Sequence, residues 1–321
     1  MNIYQETINR LIKANISSPR LEARILIAQA TGLNSNEINS SIIINDEEKS
    51  KLESMIQERV KHKPLDKVIG YKGFYCYNFL TSVDVLSPRP DTEILVEEAI
   101  RIIKENKSTN LLDLGTGSGC IVLSILAQCK DMYATAVDIS DKALTIAKKN
   151  AKNLGVYDRC RFVNAGWFDT DFNDKIEKTY DIIVSNPPYI PTSDIETLEP
   201  EVKNFDPMLA LDGGIDGLDS YKQIAKISKD KIAVMGSSAG GHLCALLSTY
   251  TERIEGEGVD SLDETDYLPN AQILCYPVIS SDESIFHKWS YMSLLGDKYP
   301  DKEKYSPERL VSENTPRAFI W

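Results

Sequence analysis

The chain has 321 residues, which is long enough for two domains, and its net charge of −12 argues against direct binding to nucleic acid phosphates. Its six cysteines form no C-x-x-C pair and no metal-ligand spacing with the three histidines, so we expect reduced thiols and no metal site. No secretory pattern and no run near the ~20 apolar residues of a membrane span occurs, so the sequence predicts a soluble cytoplasmic protein without a membrane partner.

Residues 1–70 predict a helical module, because apolar residues recur there at helical spacing. The apolar face predicted for the first helix consists of Ile3, Ile8, Leu11 and Ile12. Ser18-Pro19 is typical of a helix start and Gly32 of a helix end, and a third helix follows Asp46 and closes at Pro64. The pattern leaves open whether this module binds a partner or only covers the next domain.

Gly70 to Leu86 alternates loosely and predicts a β-hairpin that links two domains. Asp91 to Asn106 predicts an amphipathic helix. Its expected inward face is Ile94, Leu95, Ala99, Ile102 and Ile103. From Leu111 onward strands alternate with helices, which favours a parallel sheet in an α/β fold.

A glycine loop follows the first strand of that alternation, in L-L-D-L-G-T-G-S-G from Leu111. Gly115, Gly117 and Gly119 allow the backbone to approach a ligand and expose N–H groups at a helix start. The next strand ends in Asp138, which has the position and chemistry to bind a ribose hydroxyl pair. Together these elements predict a site for a nucleotide-type cofactor.

A later apolar strand, Ile182 to Val184, ends in Asn186, Pro187, Pro188 and Tyr189. The prolines lack an N–H and cannot continue a ladder, so the chain leaves the sheet here. The Asn186 oxygen and the Pro187 carbonyl can accept both hydrogens of a planar amide or amine, and Tyr189 can stack on its plane. The simpler alternative is a turn that only terminates the strand.

Residues 1 to about 230 resemble the glutamine methyltransferases that modify the Gly-Gly-Gln loop of peptide-chain release factors, with S-adenosylmethionine as donor. The matching pieces are S-P-R-P-D-T-E from Ser87, D-L-G-T-G-S-G from Asp113, A-V-D-I-S from Ala136, S-N-P-P-Y-I from Ser185 and A-L-D-G-G-I-D-G-L from Ala210. The resemblance implies a helical substrate-docking domain at residues 1–70, a hairpin linker at 71–86 and a Rossmann-like methyltransferase domain at 87–230.

The resemblance also implies roles for particular residues. The implied cofactor-binding residues are Gly115, Thr116, Gly117, Ser118, Gly119, Asp138, Trp167 and Asn186. The substrate glutamine would be held by Asn186, Pro187, Pro188 and Tyr189, of which Asn186, Pro187 and Tyr189 are the catalytic candidates. Two residues depart from the family pattern: Gly166 stands where an acid usually precedes the aromatic pair, and Ser87 where an apolar residue is usual.

Two further predictions concern what the site would act on. Residues 191–219 form a loop-rich stretch long enough for a substrate lid. An adenine amino group of DNA or RNA presents the same donor geometry as a glutamine amide, so an adenine amino-methyltransferase is the alternative. The net charge and the helical module disfavour that alternative.

Near residue 230 the resemblance to methyltransferases ends. The segment K-I-A-V-M-G-S-S-A-G-G-H from Lys231 contains G-x-S-x-G, the nucleophile elbow of an α/β-hydrolase, with Ser238 at its tip. Two further pieces, from Ile273 and Ser306, are similar to acetyl-esterase-like hydrolases. Neither His242 nor His287 occupies the base position of that family, so Ser238 is interpreted as a relic nucleophile.

The chain is therefore interpreted as a chimera, in which residues 231–321 are an α/β-hydrolase-like fragment with a strand, elbow, helix and strand. Two alternatives to methyl transfer remain from other classes: an esterase and an inactive chimera. One hypothesis keeps the sheet complete: Ile232 to Met235 would pair beside Ile182 to Val184 as a fifth strand, Ile273 to Val278 would add a sixth, and a helix at Gly240 to Tyr250 would cover one face.

Overall fold

Secondary structure is defined here by a computed structural model, which describes residues 2–177, 179–227, 233–237, 271–275 and 317–320. The helices are α1 (Ile3–Lys13), α2 (Pro19–Thr31), α3 (Asp46–Arg59), α4 (Leu65–Ile69), α5 (Glu93–Asn106), α6 (Cys120–Gln128), α7 (Asp141–Asn153), α8 (Phe172–Lys175), α9 (Pro200–Lys203) and α10 (Asp219–Ile227). The strands are β1 (Tyr71–Phe74), β2 (Tyr77–Leu80), β3 (Asn110–Leu114), β4 (Tyr133–Asp138), β5 (Cys160–Asn164), β6 (Ile182–Ser185), β7 (Ala233–Ser237), β8 (Ala271–Cys275) and β9 (Arg317–Ile320). The chain divides into two compact units, residues 1–221 and 222–321.

The predicted helical module is present in residues 1–70. Pro19 begins α2 and Gly32 ends it in the left-handed conformation, as expected, while Asn45 and Glu48 form a capping box at the start of α3. Ile8 and Leu11 of α1 are buried in the core of the module. Ile12 was expected on the same face but is 53% exposed, because each residue of a helix is rotated about 100° from the one before it.

The hairpin linker also forms as predicted, with β1 and β2 paired antiparallel. Phe74 and Phe79 lie in the hydrophobic core of the second domain and make an edge-on contact, with ring centroids 6.0 Å apart. The buried face of α5 differs in part from the prediction. It consists of Val96, Ala99, Ile100 and Ile103, whereas Ile94, Leu95 and Ile102 are half-buried.

Within the described residues of the first unit, the larger sheet has four parallel strands in the order β5-β4-β3-β6. The predicted α/β fold with a parallel sheet is therefore confirmed. Strand β3 lies between β4 and β6, and its inner residues Leu111, Leu112 and Leu114 are fully buried. Because the strands are parallel, their carboxyl ends meet at one edge of the sheet, which we call the carboxyl edge.

The stretch from residue 191 to 219 is tied to the helical module by buried ion pairs. Lys67 on α4 has no exposed side-chain surface, and its ammonium donates to the Asp206 carboxylate and, at 2.6 Å, to the Phe205 carbonyl. Arg89 also donates to Asp206, at 3.1 Å, and Arg59 on α3 donates to Glu201 at 2.8 Å. These contacts fix the middle of the stretch to α3 and α4. The substrate lid expected over residues 191–219 stays a prediction.

The described strands of the second unit do not extend the methyltransferase sheet. Strand β7 pairs in parallel with β8, and β8 pairs with β9, while among the described residues the strand paired with β6 is β3. The hypothesis of a fifth strand beside Ile182 to Val184 is therefore wrong for residues 233–235. Strand β8 occupies one edge of β7, and an apolar run does not specify which strand pairs at its other edge. Ser238, His242, His287 and the predicted helix at Gly240 to Tyr250 lie outside the described residues.

In the part of the chain that the structure describes, no helix has both the length and the apolar composition required to cross a lipid bilayer.

Replacing Asp206 by alanine should destabilise the first unit, because the buried Lys67 ammonium would lose its countercharge. Breaking a buried ion pair by removing one partner costs about 3–5 kcal/mol. Urea denaturation of the full chain, followed by circular dichroism, measures this loss. Glu47→Gln is the control, since it removes the exposed pair with Lys51 and should leave the midpoint unchanged. An Asp206→Ala midpoint equal to that of the parent would contradict the assignment.

Candidate active site

The carboxyl edge of the sheet brings the sequence motifs together. In the ladder between β3 and β6, Leu114 is paired with Ser185, so the next residues, Gly115 and Asn186, follow side by side. Adjacent strands lie about 4.8 Å apart, which places the glycine loop and the Asn-Pro-Pro-Tyr segment next to each other. The Ser185 hydroxyl reinforces the alignment by donating to the Leu114 carbonyl at 2.7 Å.

The glycine loop from Gly115 to Gly119 turns sharply out of β3 into α6. Gly115, Gly117 and Gly119 have φ angles of +75°, +55° and +81°. Residues with a side chain rarely adopt this left-handed backbone conformation. A Cβ added at Gly117 would meet no atom within 4 Å, so open space lies in front of the loop at this residue. Gly119 instead packs closely, since its Cβ would lie 2.7 Å from Leu123. The loop thus leaves room for a ligand at one glycine and packs the helix at another.

Asp138 closes one side of this space. One of its carboxylate oxygens accepts the Gly117 N–H at 2.8 Å, and the other accepts the Ser140 N–H at 2.9 Å. Burial raises the pKa of the Asp138 carboxyl, and these two N–H donors oppose that rise. Each carboxylate oxygen can accept a second hydrogen bond, so both remain able to bind a hydroxyl of a ligand.

A second carboxyl, Asp113, lies fully buried beneath the loop. It accepts a hydrogen bond from the Thr116 hydroxyl at 2.6 Å. Burial raises its pKa to about 7, and the nearby negative charge of Asp138 acts in the same direction. The Asp113 carboxyl can therefore be protonated near neutral pH.

Trp167 and Gly166 follow β5 at the same edge. The Trp167 ring lies over Gly115, since a Cβ there would meet two ring carbons at 3.2 and 3.3 Å. Gly166 was expected to leave this turn without an acidic side chain. The Asp169 carboxylate accepts the Gly166 N–H at 2.9 Å and lies 3.2 Å from where a Cβ of residue 166 would be. A carboxylate is thus present beside the turn although residue 166 does not supply it.

The four residues after β6 differ in exposure. Pro187 is buried, Asn186 and Pro188 are half-buried, and Tyr189 is 56% exposed. The Asn186 side-chain amide donates to the Thr92 hydroxyl at 3.5 Å, and an amide that donates through its nitrogen keeps its oxygen as an acceptor. Thr92 belongs to the S-P-R-P-D-T-E motif, for which sequence analysis gave no role.

A further group of residues packs directly against the backbone that follows Tyr189. We call residues 208–219 the backing segment. Ile190 exchanges backbone hydrogen bonds with it, donating to the Leu211 carbonyl at 3.0 Å and accepting from the Gly213 N–H at 2.9 Å. The approach is so close that a Cβ at Gly217 would lie 2.5 Å from the Tyr189 carbonyl oxygen. The glycines of the A-L-D-G-G-I-D-G-L motif, which lies in the backing segment, therefore determine where the Asn-Pro-Pro-Tyr segment lies.

Sequence analysis also missed Asn150 on α7. Its side chain is almost fully buried and donates to the Ser118 carbonyl of the glycine loop at 2.8 Å. It also exchanges hydrogen bonds with the backbone of Leu80 in the hairpin, at 2.8 and 3.2 Å. A polar residue on the inward face of a predicted helix was the available signal. Asn150 holds the loop and the hairpin together.

Two segments of the chain match described protein families. Residues 2–70 match the family described as PrmC N-terminal domain, and residues 90–199 match the family described as Methyltransferase small domain. A release factor glutamine methyltransferase of Agrobacterium fabrum is 40% identical over 222 residues, covering 67% of this chain and 75% of that protein. The chain belongs to the release factor glutamine methyltransferase family. The relative in Rhodopirellula baltica, with the same name, is 36% identical over 254 residues, covering 77% of this chain and 83% of that protein.

A solved acetyl ester-xyloside bifunctional hydrolase from Caldicellulosiruptor lactoaceticus is 30% identical and covers 33% of this chain and 43% of that one. Its TM-score is 0.28, which is too low to support an argument about fold or activity.

Gly217→Ala should destabilise this member of the family more than Gly155→Ala does. Both glycines have positive φ, +75° and +68°, so both substitutions introduce similar backbone strain. A Cβ at Gly155 meets no atom within 4 Å, whereas one at Gly217 meets the Tyr189 carbonyl. Overpacking of this kind costs about 1–3 kcal/mol, or roughly 5 °C in thermal midpoint for a unit of this size. Equal melting temperatures for the two variants would show that the backing segment does not constrain Tyr189.

Proposed function

We propose that the chain transfers a methyl group from S-adenosylmethionine to the side-chain amide nitrogen of the glutamine in the Gly-Gly-Gln motif of a peptide-chain release factor. The observation that carries the proposal is the pairing of Leu114 with Ser185, which aligns the glycine loop with the Asn-Pro-Pro-Tyr segment. A donor bound at the loop and an amide bound at Asn186 would then lie next to each other.

The residues at the carboxyl edge fit S-adenosylmethionine. The open space at Gly117 admits a ligand against the backbone, and the Asp138 oxygens can accept hydrogen bonds from two ribose hydroxyls. The Trp167 ring offers an apolar wall beside Gly115. Asp169 places a carboxylate near the turn where the family usually has an acid, so it is a candidate to replace that acid toward the adenine ring. When bound, this cofactor supplies an electrophilic methyl group on a positively charged sulfur.

Asn186 and Pro187 would orient the glutamine. Its amide has two hydrogens, which the Asn186 side-chain oxygen and the Pro187 carbonyl can accept, while the exposed Tyr189 ring can cover the amide plane. An amide nitrogen is a poor nucleophile because its lone pair is delocalised into the carbonyl. Fixing the nitrogen in line with the methyl carbon therefore supplies much of the rate enhancement.

The reaction needs few other groups of the protein to stabilise the charge that develops. The glutamine nitrogen, held by Asn186 and Pro187, would form the new bond to carbon with its lone pair and give up one proton, and the cofactor would supply the methyl carbon and keep the electron pair of the carbon–sulfur bond. Positive charge grows on the nitrogen during the transfer, and the two oxygen acceptors stabilise it. No dedicated general base is required for this step.

The helical module of residues 1–70 is proposed to help dock the release factor. Its ion pairs with residues 201 and 206 connect it to the stretch that leads into the backing segment. The net charge of −12 favours a partner with a basic face over a nucleic acid.

We also infer that residues 231–321 are an α/β-hydrolase-like fragment that takes no part in methyl transfer. Strand β7 ends at Ser237, immediately before Ser238, as a nucleophile elbow requires, and β7, β8 and β9 form a parallel sheet. Turnover of an aryl acetate by the full chain that disappears in Ser238→Ala would contradict the interpretation of Ser238 as a relic.

Asn186→Ala should abolish the transfer while reducing cofactor affinity only modestly, because the alanine removes an acceptor for the glutamine amide. We expect kcat to fall by about 100-fold or more, the range found when one preorganised polar group is removed from an active site. The assay incubates purified release factor with the full chain and S-adenosylmethionine labelled in its methyl group, and mass spectrometry locates the label.

The matched control is Asn204→Ala, which removes an exposed asparagine of the stretch 191–219 and should leave the rate unchanged. A DNA duplex in place of the release factor tests the adenine alternative. Equal rates for Asn186→Ala and the parent, or label on the duplex and none on the release factor, would contradict the proposal.

A further inference from the structure

Exposed apolar side chains of the methyltransferase domain concentrate at its carboxyl edge. Between residues 71 and 227, ten large apolar side chains are exposed in the described structure. Six of them follow β4, β5 or β6: Ile139, Phe168, Tyr189, Met208, Leu209 and Ile215. Single exposed apolar residues need no explanation, but a concentration beside one site is typical of an interaction surface.

Four of these side chains belong to two segments whose backbones are hydrogen-bonded to each other beside the position proposed for the target amide. We call Tyr189, Met208, Leu209 and Ile215 the docking surface. They are 56%, 53%, 66% and 93% exposed. The last three lie in the backing segment, which hydrogen-bonds to Ile190 and Thr192 directly after Tyr189. They therefore belong to the same edge of the sheet as the site, although they lie about twenty residues further along the chain.

The docking surface is held in place before any partner binds. Asp212 accepts hydrogen bonds from the Thr192 hydroxyl at 2.7 Å and the Gly214 N–H at 3.0 Å. Immediately before Met208, the buried Asp206 is fixed by Lys67 and Arg89. A partner binding here orders little additional backbone, so less of the binding free energy is lost to conformational entropy.

The charge around the docking surface indicates the chemistry of its partner. Residues 191–219 contain eight acidic residues and one lysine. Five of the acids are exposed: Asp194, Glu196, Glu199, Asp216 and Asp219. A segment that exposes both apolar and acidic side chains fits a protein surface whose apolar side chains are flanked by lysine or arginine, and it repels an acidic one.

We propose that the docking surface binds the release factor itself, through apolar residues flanked by basic ones near the target glutamine. The inference rests on the proposed function and adds a second contact to the one expected from the helical module. A contact beside the site would fix the glutamine loop against Asn186, whereas the helical module holds a more distant part of the partner. A contact that is made equally in the ground state and the transition state raises KM when it is removed and leaves kcat unchanged.

The test uses the full chain and the double variant Leu209→Ser/Ile215→Ser. Tyr133→Ser is the matched control, because Tyr133 is 60% exposed but lies at the first residue of β4, at the opposite edge of the sheet. Calorimetry measures the binding of purified release factor to each protein in the presence of S-adenosylmethionine. The transfer assay gives KM and kcat, and circular dichroism checks that the melting temperatures agree.

We expect Kd and KM for the release factor to rise about tenfold or more in the double variant, with kcat and the cofactor Kd within about twofold of the parent. Tyr133→Ser should behave like the parent. Binding by the parent should weaken as salt is added, since five acidic side chains of residues 191–219 are exposed.

Parent-like binding by the double variant, or an equal loss in Tyr133→Ser, would overturn the proposal. So would ultracentrifugation showing a parent dimer that the double variant dissociates, because the occupant would then be a second copy of the chain. A parent that fails to bind the release factor also overturns it. If the parent binds without methylating, the proposed function fails while the docking surface stands, provided that the double variant loses the binding.

Discussion

The parallel arrangement of β3, β4 and β6 is the constraint on which the rest of the molecule depends. Because parallel strands end at the same edge, three segments far apart in the chain are brought to one place. The glycine loop follows β3, Asp138 ends β4, and Asn186 follows β6. Consecutive residues 111–114 of β3 are all buried, so both faces of this central strand lie in the core. The same packing that stabilises the fold therefore aligns the site.

Contacts remote in sequence then set the position of each loop. Asn150 connects the glycine loop to the hairpin, and Thr92 contacts the Asn186 side chain. The backing segment packs closely against the Tyr189 backbone. Asp206, just before this segment, forms ion pairs with Lys67 of the helical module and with Arg89. Preorganisation of this kind suits a reaction in which the protein mainly orients two groups.

Much of this could be predicted from sequence because the signals are local. Apolar runs gave β3, β4 and β6, which lead into a glycine loop, an aspartate and a proline pair respectively, and Pro19 and Gly32 gave the bounds of α2. The partners of Asn150, Asp206 and Gly217 could not be predicted, since each contact joins residues that are 28 to 139 positions apart. The fifth-strand hypothesis failed for a related reason: an apolar run such as β7 specifies a strand but not the sheet it joins, and β7 belongs to the sheet of β8 and β9.

The central claim is that the strand ends of residues 1–221 build a cofactor site, and calorimetric titration of the full chain with S-adenosylmethionine tests it most directly. The account predicts saturable binding to one site, lost in Asp138→Ala and retained in Asp131→Ala, which removes an exposed carboxylate before β4 at the opposite edge. Absence of binding to the folded parent, or equal affinity in Asp138→Ala, would contradict the account.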